Sequence, residues 1–105
     1  LNTENIIIIP EGVGIVPWCI PGNSEIAKET AGKFKTYKIV LWPLHGVVAS
    51  GESFDSTIGL IETLEKGAFT YIKAKSLGIK QTISNNQLKK LAKEFGVIPN
   101  KEILR

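Results

Sequence analysis

Short apolar runs and apolar positions at helical spacing divide this 105-residue chain into strands and helices. Four consecutive isoleucines at residues 6–9 are apolar on both faces, which predicts a short strand buried inside a sheet. Residues 15–18 predict a brief extended piece, and residues 38–42 and 47–49 predict two further strands. Three short strands do not make a satisfactory sheet alone, so we expect the rest of this sheet to come from outside the chain.

Three helices are predicted from apolar residues spaced three and four apart. The first begins at Asn23 or Ser24, the second runs from Ser53 or Asp55 to about Leu77, and the third runs from a capping box at Ser84 to Gly96. Gly59 and Gly67 lie inside the second helix, where each costs about 1 kcal/mol relative to alanine. We therefore expect close packing against a neighbouring backbone at both glycines. The order of elements indicates a mixed α/β fold.

Net charge is unevenly distributed. Residues 1–52 carry four lysines and five acids, whereas residues 53–105 carry nine basic and five acidic residues. A basic half raises the possibility of nucleic-acid binding. Arg105 is the only arginine, however, and lysines 89, 90 and 93 form the ordinary polar face of an amphipathic helix. We expect no nucleic-acid partner.

Cysteine content and apolar-run length bear on the cellular environment. One cysteine excludes an internal disulfide and suits the reducing cytoplasm, and we interpret Cys19 as a buried thiol rather than a metal ligand. No apolar run reaches the roughly 18 residues of a membrane span, so no membrane association is expected. The chain has no methionine and enters the isoleucine run directly from Leu1, which we interpret as part of a larger protein without a signal peptide.

His45 is the only histidine, and it lies within residues 41–51, LWPLHGVVASG. Pro43 interrupts regular strand pairing, and Gly46 lets the backbone come close to whatever His45 contacts. A neutral imidazole is a good metal ligand. A catalytic zinc site takes three protein ligands and keeps one position open. Either His45 is structural, or its co-ligands lie outside this chain.

Four segments of the chain together resemble the rhamnulose phosphate branch of the class II sugar-phosphate aldolases. They are PEGVGIVPW with the following Pro-Gly (residues 10–22), LWPLHGV (41–47), GLIETLEK (59–66) and KQTIS (80–84). The resemblance covers essentially the whole chain but only the C-terminal part of a single domain of the family. The His-Gly pair indicates the wider family, and the preceding Trp-Pro with the Glu-Gly-Val-Gly-Ile segment indicates the rhamnulose branch.

The resemblance implies an α/β/α sandwich on a largely antiparallel sheet, assembled as a homotetramer. It implies zinc-dependent cleavage of L-rhamnulose 1-phosphate into dihydroxyacetone phosphate and L-lactaldehyde. The third histidine ligand to zinc falls on His45, and a second acidic residue of the site falls on Glu4, just before the predicted buried strand. The other two ligands, the principal acid/base glutamate and the phosphate site would lie upstream, so the chain alone is expected to be inactive.

The sequence leaves two alternative functions open. A related class II sugar-phosphate aldolase or epimerase would use the same zinc on a different sugar phosphate. A non-catalytic binding or assembly module is the other possibility. For Glu4 the alternative role is a plain surface carboxylate, and for His45 it is a structural histidine beside a turn.

Overall fold

A computed structural model describes residues 2–101 and contains seven elements of α/β type. They are α1 (Thr3–Ile8), β1 (Gly14–Ile15), α2 (Ser24–Lys33), β2 (Ile39–Trp42), β3 (Gly46–Ala49), α3 (Phe54–Ser76) and α4 (Asn85–Phe95). The described residues form two compact units, one of residues 12–61 and one of residues 2–11 with 62–101. The predicted α/β class is confirmed.

The unit of residues 12–61 carries a three-stranded sheet in the order β1-β2-β3. β1 is parallel to β2, with Gly14 opposite Val40, and β2 is antiparallel to β3, with Ile39 opposite Ala49. The expectation of a largely antiparallel sheet is therefore wrong for this part of the fold. The reason is the connection: α2 links β1 to β2 and lets β2 run in the same direction, whereas a tight hairpin joins β2 to β3.

The core of this unit lies between α2 and the sheet. Val16, Ile26 and Val40 form a buried cluster, and the half-buried Cys19, Phe34 and Trp42 pack against it. α2 begins where predicted, because the Oδ1 atom of Asn23 accepts a 3.0 Å hydrogen bond from the backbone N–H of Ile26. Residues 15–18 contribute only their first position to a strand, and the two strands predicted at 38–42 and 47–49 are confirmed as β2 and β3.

The isoleucine run is helical, so the strand predicted at residues 6–9 is wrong. Asn2 caps α1 by accepting a 2.9 Å hydrogen bond from the backbone N–H of Asn5. Ile6 and Ile9 are buried three residues apart, whereas Ile8 is 42% exposed. That spacing follows the helical period rather than alternation, and tertiary packing overrides the strand preference of β-branched residues.

α4 packs against α1 in the unit of residues 2–11 and 62–101, with Leu88 fully buried. Its predicted boundaries are confirmed, since Ser84 forms a reciprocal capping box with Gln87 and Gly96 ends the helix with a φ of 62°. The chain then returns to the end of α1, where the backbone N–H of Asn100 donates a 2.8 Å hydrogen bond to the carbonyl of Pro10.

α3 confirms the longest predicted helix, but its apolar face is only partly covered. Leu60 is its one buried residue, while Ile61 and Leu64 are half-buried. Ala68 and Ile72, which lie at helical spacing from Ile61 and Leu64, are exposed. Within residues 2–101, no helix combines the length and apolar character needed to cross a membrane.

Candidate functional site

His45 lies in the turn that joins β2 to β3. Trp42 pairs with Gly46 at the end of the hairpin, and the backbone N–H of His45 donates a 3.0 Å hydrogen bond to the Trp42 carbonyl. Pro43 and then Leu44, whose φ is 60°, occupy the central positions, as in a type II turn. The predicted interruption of the strand at Pro43 is confirmed, and the turn leaves His45 exposed.

The imidazole of His45 contacts one aromatic side chain. Its ring centroid lies 5.3 Å from that of Trp42, and the two ring planes meet at 72°, an edge-to-face arrangement. In the described part of the chain no hydrogen bond is made by either ring nitrogen. A Cβ on Gly46 would meet nothing within 4 Å, so the predicted close approach at this glycine does not involve the described residues.

Trp42 is itself held by a buried hydroxyl that the sequence reasoning did not single out as functional. The indole Nε1–H of Trp42 donates a 3.0 Å hydrogen bond to Oγ1 of Thr30. The Thr30 hydroxyl in turn donates a 2.6 Å hydrogen bond to the carbonyl of Ile26. Two features of the sequence could have indicated this hydrogen bond. Thr30 places a hydroxyl inside the apolar stripe of α2, and the interrupted strand ends in Trp42, whose indole N–H needs a partner.

An open groove lies beside this tryptophan, between its indole ring and α2. Its volume is about 450 Å³, and apolar side chains such as Ile26, Ala27 and Phe34 form much of its wall. Among the residues that the structure describes, no charged side chain lines it. The groove therefore offers no cationic group to a sugar phosphate.

Glu4 lies in the first turn of α1, in the unit of residues 2–11 and 62–101, and its side chain is exposed. The expected position just before a buried strand is thus corrected: Glu4 belongs to a helix capped by Asn2. A carboxylate in a first helical turn interacts favourably with the helix dipole. His45 belongs to the other unit.

The side chains available as metal ligands show what this chain could contribute to the expected zinc site. Across residues 2–101 no group of three or more histidine, cysteine, aspartate or glutamate side chains is placed to hold a metal ion. His45, with an exposed imidazole and both ring nitrogens free of hydrogen bonds within that part of the chain, fits a single ligand position. Three protein ligands are typical of catalytic zinc, so any further ligands would have to come from elsewhere.

Cys19 has the features of a protonated thiol. It is half-buried, and its Sγ atom donates a 3.4 Å hydrogen bond to the carbonyl of Pro17. Desolvation raises the pKa of this thiol, and the negative charges of Glu25 and Glu29 raise the pKa further. Because the thiolate is the form that binds metals, these surroundings disfavour Cys19 as a ligand.

Comparison with known proteins identifies the family of the chain that carries this hairpin and His45. Residues 1–72 match the family model of the class II aldolase and adducin N-terminal domain. The chain belongs to this family, and the family resemblance noted in the sequence is confirmed.

Rhamnulose-1-phosphate aldolases are among the similar curated proteins. The chain is 48% identical over 99 residues to those of Escherichia coli (strain K12 / DH10B), Escherichia coli O139:H28 and Shigella sonnei (strain Ss046). These alignments cover 93% of this chain and 36% of each relative. The chain thus spans about a third of the length of the relatives it matches.

Proposed function

We propose that this chain is the C-terminal part of a class II aldolase domain that cleaves L-rhamnulose 1-phosphate into dihydroxyacetone phosphate and L-lactaldehyde. The observation that carries the proposal is 48% identity over 93% of the chain to proteins named for this substrate. The exposed imidazole at the tip of the β2–β3 hairpin agrees with it, because a metal ligand needs an accessible ring nitrogen.

In this proposal His45 supplies one of three histidine ligands to zinc, and the other two come from residues beyond this chain. Zinc bound there would act as a Lewis acid on the substrate oxygens. His45 itself contributes a neutral nitrogen donor on a short turn, which keeps the ligand close to the rigid ladder of β2 and β3. Glu4 is proposed as an acidic residue of the active site that interacts with a substrate hydroxyl.

The proposal extends to the assembled protein. We infer that it is a cytoplasmic homotetramer with the α/β/α sandwich of its family. The partly uncovered α3 supports the presence of further protein surface against this chain, since Phe69 is 62% and Ile72 65% exposed.

A substrate panel tests the activity. The longer protein, of the length of the matched relatives, is assayed with L-rhamnulose 1-phosphate, L-fuculose 1-phosphate and L-ribulose 5-phosphate, and dihydroxyacetone phosphate is measured by a coupled reductase. We expect the highest kcat/KM for cleavage of L-rhamnulose 1-phosphate. Preference for another sugar phosphate, or epimerisation without cleavage, would assign the protein to a different branch of the family. Absence of turnover would favour a binding module.

The His45→Ala variant tests whether His45 binds zinc. Removing groups that merely orient a metal ligand costs about 10–100-fold in metal affinity or activity, so His45→Ala should cost more than about 100-fold. Zinc content is measured by atomic absorption alongside activity. Ser50→Ala, an exposed position just after β3, is the matched control and should keep both. Full zinc retention with normal cleavage in His45→Ala would refute the assignment.

A further inference from the structure

A continuous set of contacts joins the backbone of α2 to the ring of His45. It begins at the Ile26 carbonyl, which accepts the 2.6 Å hydrogen bond of the Thr30 hydroxyl. The same hydroxyl oxygen accepts the 3.0 Å hydrogen bond of the Trp42 indole. The indole ring then meets the imidazole edge-to-face at 5.3 Å. We propose that Thr30 is a positioning residue for His45 and acts through Trp42.

Burial makes Thr30 suited to this role. Thr30 is 7% exposed, and it is the one buried polar residue within residues 2–101. A buried hydroxyl needs its hydrogen bonds satisfied, and here the donated and the accepted bond are both made. Because its own proton is committed to Ile26, the oxygen presents its lone pairs to the indole N–H. The hydroxyl therefore sets the rotation of the indole ring, which apolar packing alone leaves less defined.

Trp42 passes this orientation to the histidine. It packs against the buried cluster of Val16, Ile26 and Val40 and also contacts the imidazole. His45 is exposed, and the described residues give its ring nitrogens no hydrogen bond. The aromatic contact is thus the constraint that the described chain places on the ring. An exposed ligand without such a constraint would sample several rotamers before binding.

The orienting contacts are observed within residues 12–61, whereas their effect on metal binding rests on the proposed function. Groups that orient a ligand raise metal affinity by reducing the freedom that binding must remove. On this basis Thr30 would raise the zinc affinity of the longer protein without touching the metal. The two parts of the proposal are tested separately.

The first test uses nuclear magnetic resonance on the 105-residue chain at one fixed pH. His45 is its only histidine, so its ring C–H resonances are assigned without ambiguity. We expect Trp42→Leu to abolish the ring-current displacement of these resonances and Thr30→Val to remove at least half of it. Thr30→Ser keeps the hydroxyl and should preserve the displacement. Thr36→Val, at an exposed position after α2, is the matched control.

A measurement on the unsubstituted chain guards against a Thr30→Val variant that does not fold. The chain has two indole N–H groups, and Trp18 is 62% exposed and makes no hydrogen bond through its indole within residues 2–101. We expect the Trp42 Nε1–H to exchange with solvent at least about tenfold more slowly than that of Trp18 because it is hydrogen-bonded. Equal exchange rates would overturn the proposal. So would a folded Thr30→Val variant with unchanged His45 resonances.

The second test measures zinc affinity of the longer protein by competition with a chelator. Thr30→Val should weaken binding by about tenfold, the lower end of the range for groups that orient a ligand, and Thr30→Ser should restore it. Unchanged affinity in Thr30→Val would overturn the metal-binding consequence. Failure of that protein to cleave any sugar phosphate would instead overturn the proposed function, since the resonance shifts and chelator competition do not depend on turnover.

Discussion

The side-chain amide of Asn5 occupies the space that a β-carbon on Gly67 would need. An ideal Cβ at Gly67 would lie 2.6 Å from both Oδ1 and Nδ2 of Asn5, well inside van der Waals contact. The Oδ1 atom is buried and accepts no hydrogen bond from the residues that the structure describes. This close approach explains why α3 carries a glycine here despite the helix-propensity cost.

Alanine at the two glycines of α3 should therefore have opposite consequences. Gly59→Ala should raise the free energy of unfolding by about 0.5–1 kcal/mol, because a Cβ there meets none of the described residues within 4 Å. Gly67→Ala should bring no gain or a net loss, because the new methyl displaces Asn5. Urea unfolding of the 105-residue chain measures both. When Asn5 is also replaced by alanine, Gly67→Ala should raise the free energy of unfolding. Equal increases for Gly59→Ala and Gly67→Ala with Asn5 present would contradict the packing argument.

These glycines also indicate how far the sequence could predict packing. Close packing was expected at both positions and is present at Gly67, through a side chain rather than a backbone. At Gly59, residues 2–101 leave open space around the Cβ position. Helix propensity identifies a costly glycine but does not identify what lies above it, because that neighbour comes from a distant part of the chain.

Elements with local signals were predicted well. The capping box at Ser84 and the left-handed Gly96 fix α4, because each is a hydrogen-bonding pattern within a few residues. The strand prediction for the isoleucine run was wrong for the opposite reason: its composition favours a strand, whereas the burial of Ile6 and Ile9 follows the helical period. Asn2, three residues before Asn5, was the local signal for that helix.

The candidate site also contains some features that the sequence predicts and others that it does not. The Pro43 turn and the exposure of His45 follow from neighbouring residues, and the turn was predicted. The Thr30–Trp42 hydrogen bond joins residues twelve positions apart and depends on α2 packing close to β2. Sequence spacing contains no information about that packing, so the contact that supports the histidine emerged only from the structure.

Replacing Leu44 should relieve backbone strain in the turn that contains His45. Leu44 has a φ of 60° and a side chain that is 99% exposed, so it bears the left-handed conformation without a packing gain. The left-handed region costs a residue such as leucine about 1–2 kcal/mol, and asparagine adopts it more readily. Leu44→Asn should therefore raise the free energy of unfolding by about 0.5–1 kcal/mol in urea titration.

A matched substitution separates strain from polarity. Ile98 is also an exposed aliphatic residue, at 89% exposure, and its φ is not positive. Ile98→Asn should leave the unfolding free energy unchanged within about 0.5 kcal/mol, as for ordinary surface substitutions. A gain at Ile98 equal to that at Leu44 would show that the effect came from surface polarity.

Alkylation of Cys19 should be slow at neutral pH and should accelerate only in alkaline solution. Desolvation, and then Glu25 and Glu29, raise the pKa of the thiol, so the thiolate that reacts is scarce near pH 7. The rate of iodoacetamide modification as a function of pH should have its midpoint above that of an unhindered peptide thiol. Since folding disfavours the charged form, this group stabilises the fold at neutral pH and its contribution is lost as pH rises through the raised pKa.

Charge removal tests the cause of that shift. Glu25→Gln and Glu29→Gln should each lower the alkylation midpoint, and together they should lower it further, while desolvation keeps it above that of the peptide thiol. Glu52→Gln, an exposed position in the same unit, is the control and should leave the midpoint unchanged. A midpoint at or below that of the peptide thiol in the unsubstituted chain would contradict the assignment.

Glu4→Gln in the longer protein should lower kcat while leaving zinc content unchanged. The substitution keeps the shape of the side chain and removes its charge, so it tests electrostatics rather than packing. The fold should survive, because Glu4 is exposed and its interaction with the α1 dipole contributes only about 0.3–1 kcal/mol. Steady-state kinetics on L-rhamnulose 1-phosphate, zinc analysis and urea unfolding together measure these three properties.

Glu65→Gln provides the comparison, since it removes an exposed carboxylate from the middle of α3, where a helix dipole has little influence. It should leave kcat, zinc content and stability at their original values. If Glu4 acts in the site, its loss lowers kcat by more than the small stability change accounts for, because the folded fraction barely changes. If Glu4→Gln instead retains the original kcat/KM and loses only helix stability, Glu4 is a surface carboxylate at a helix start, and the acidic group of the proposed site must be sought elsewhere in the protein.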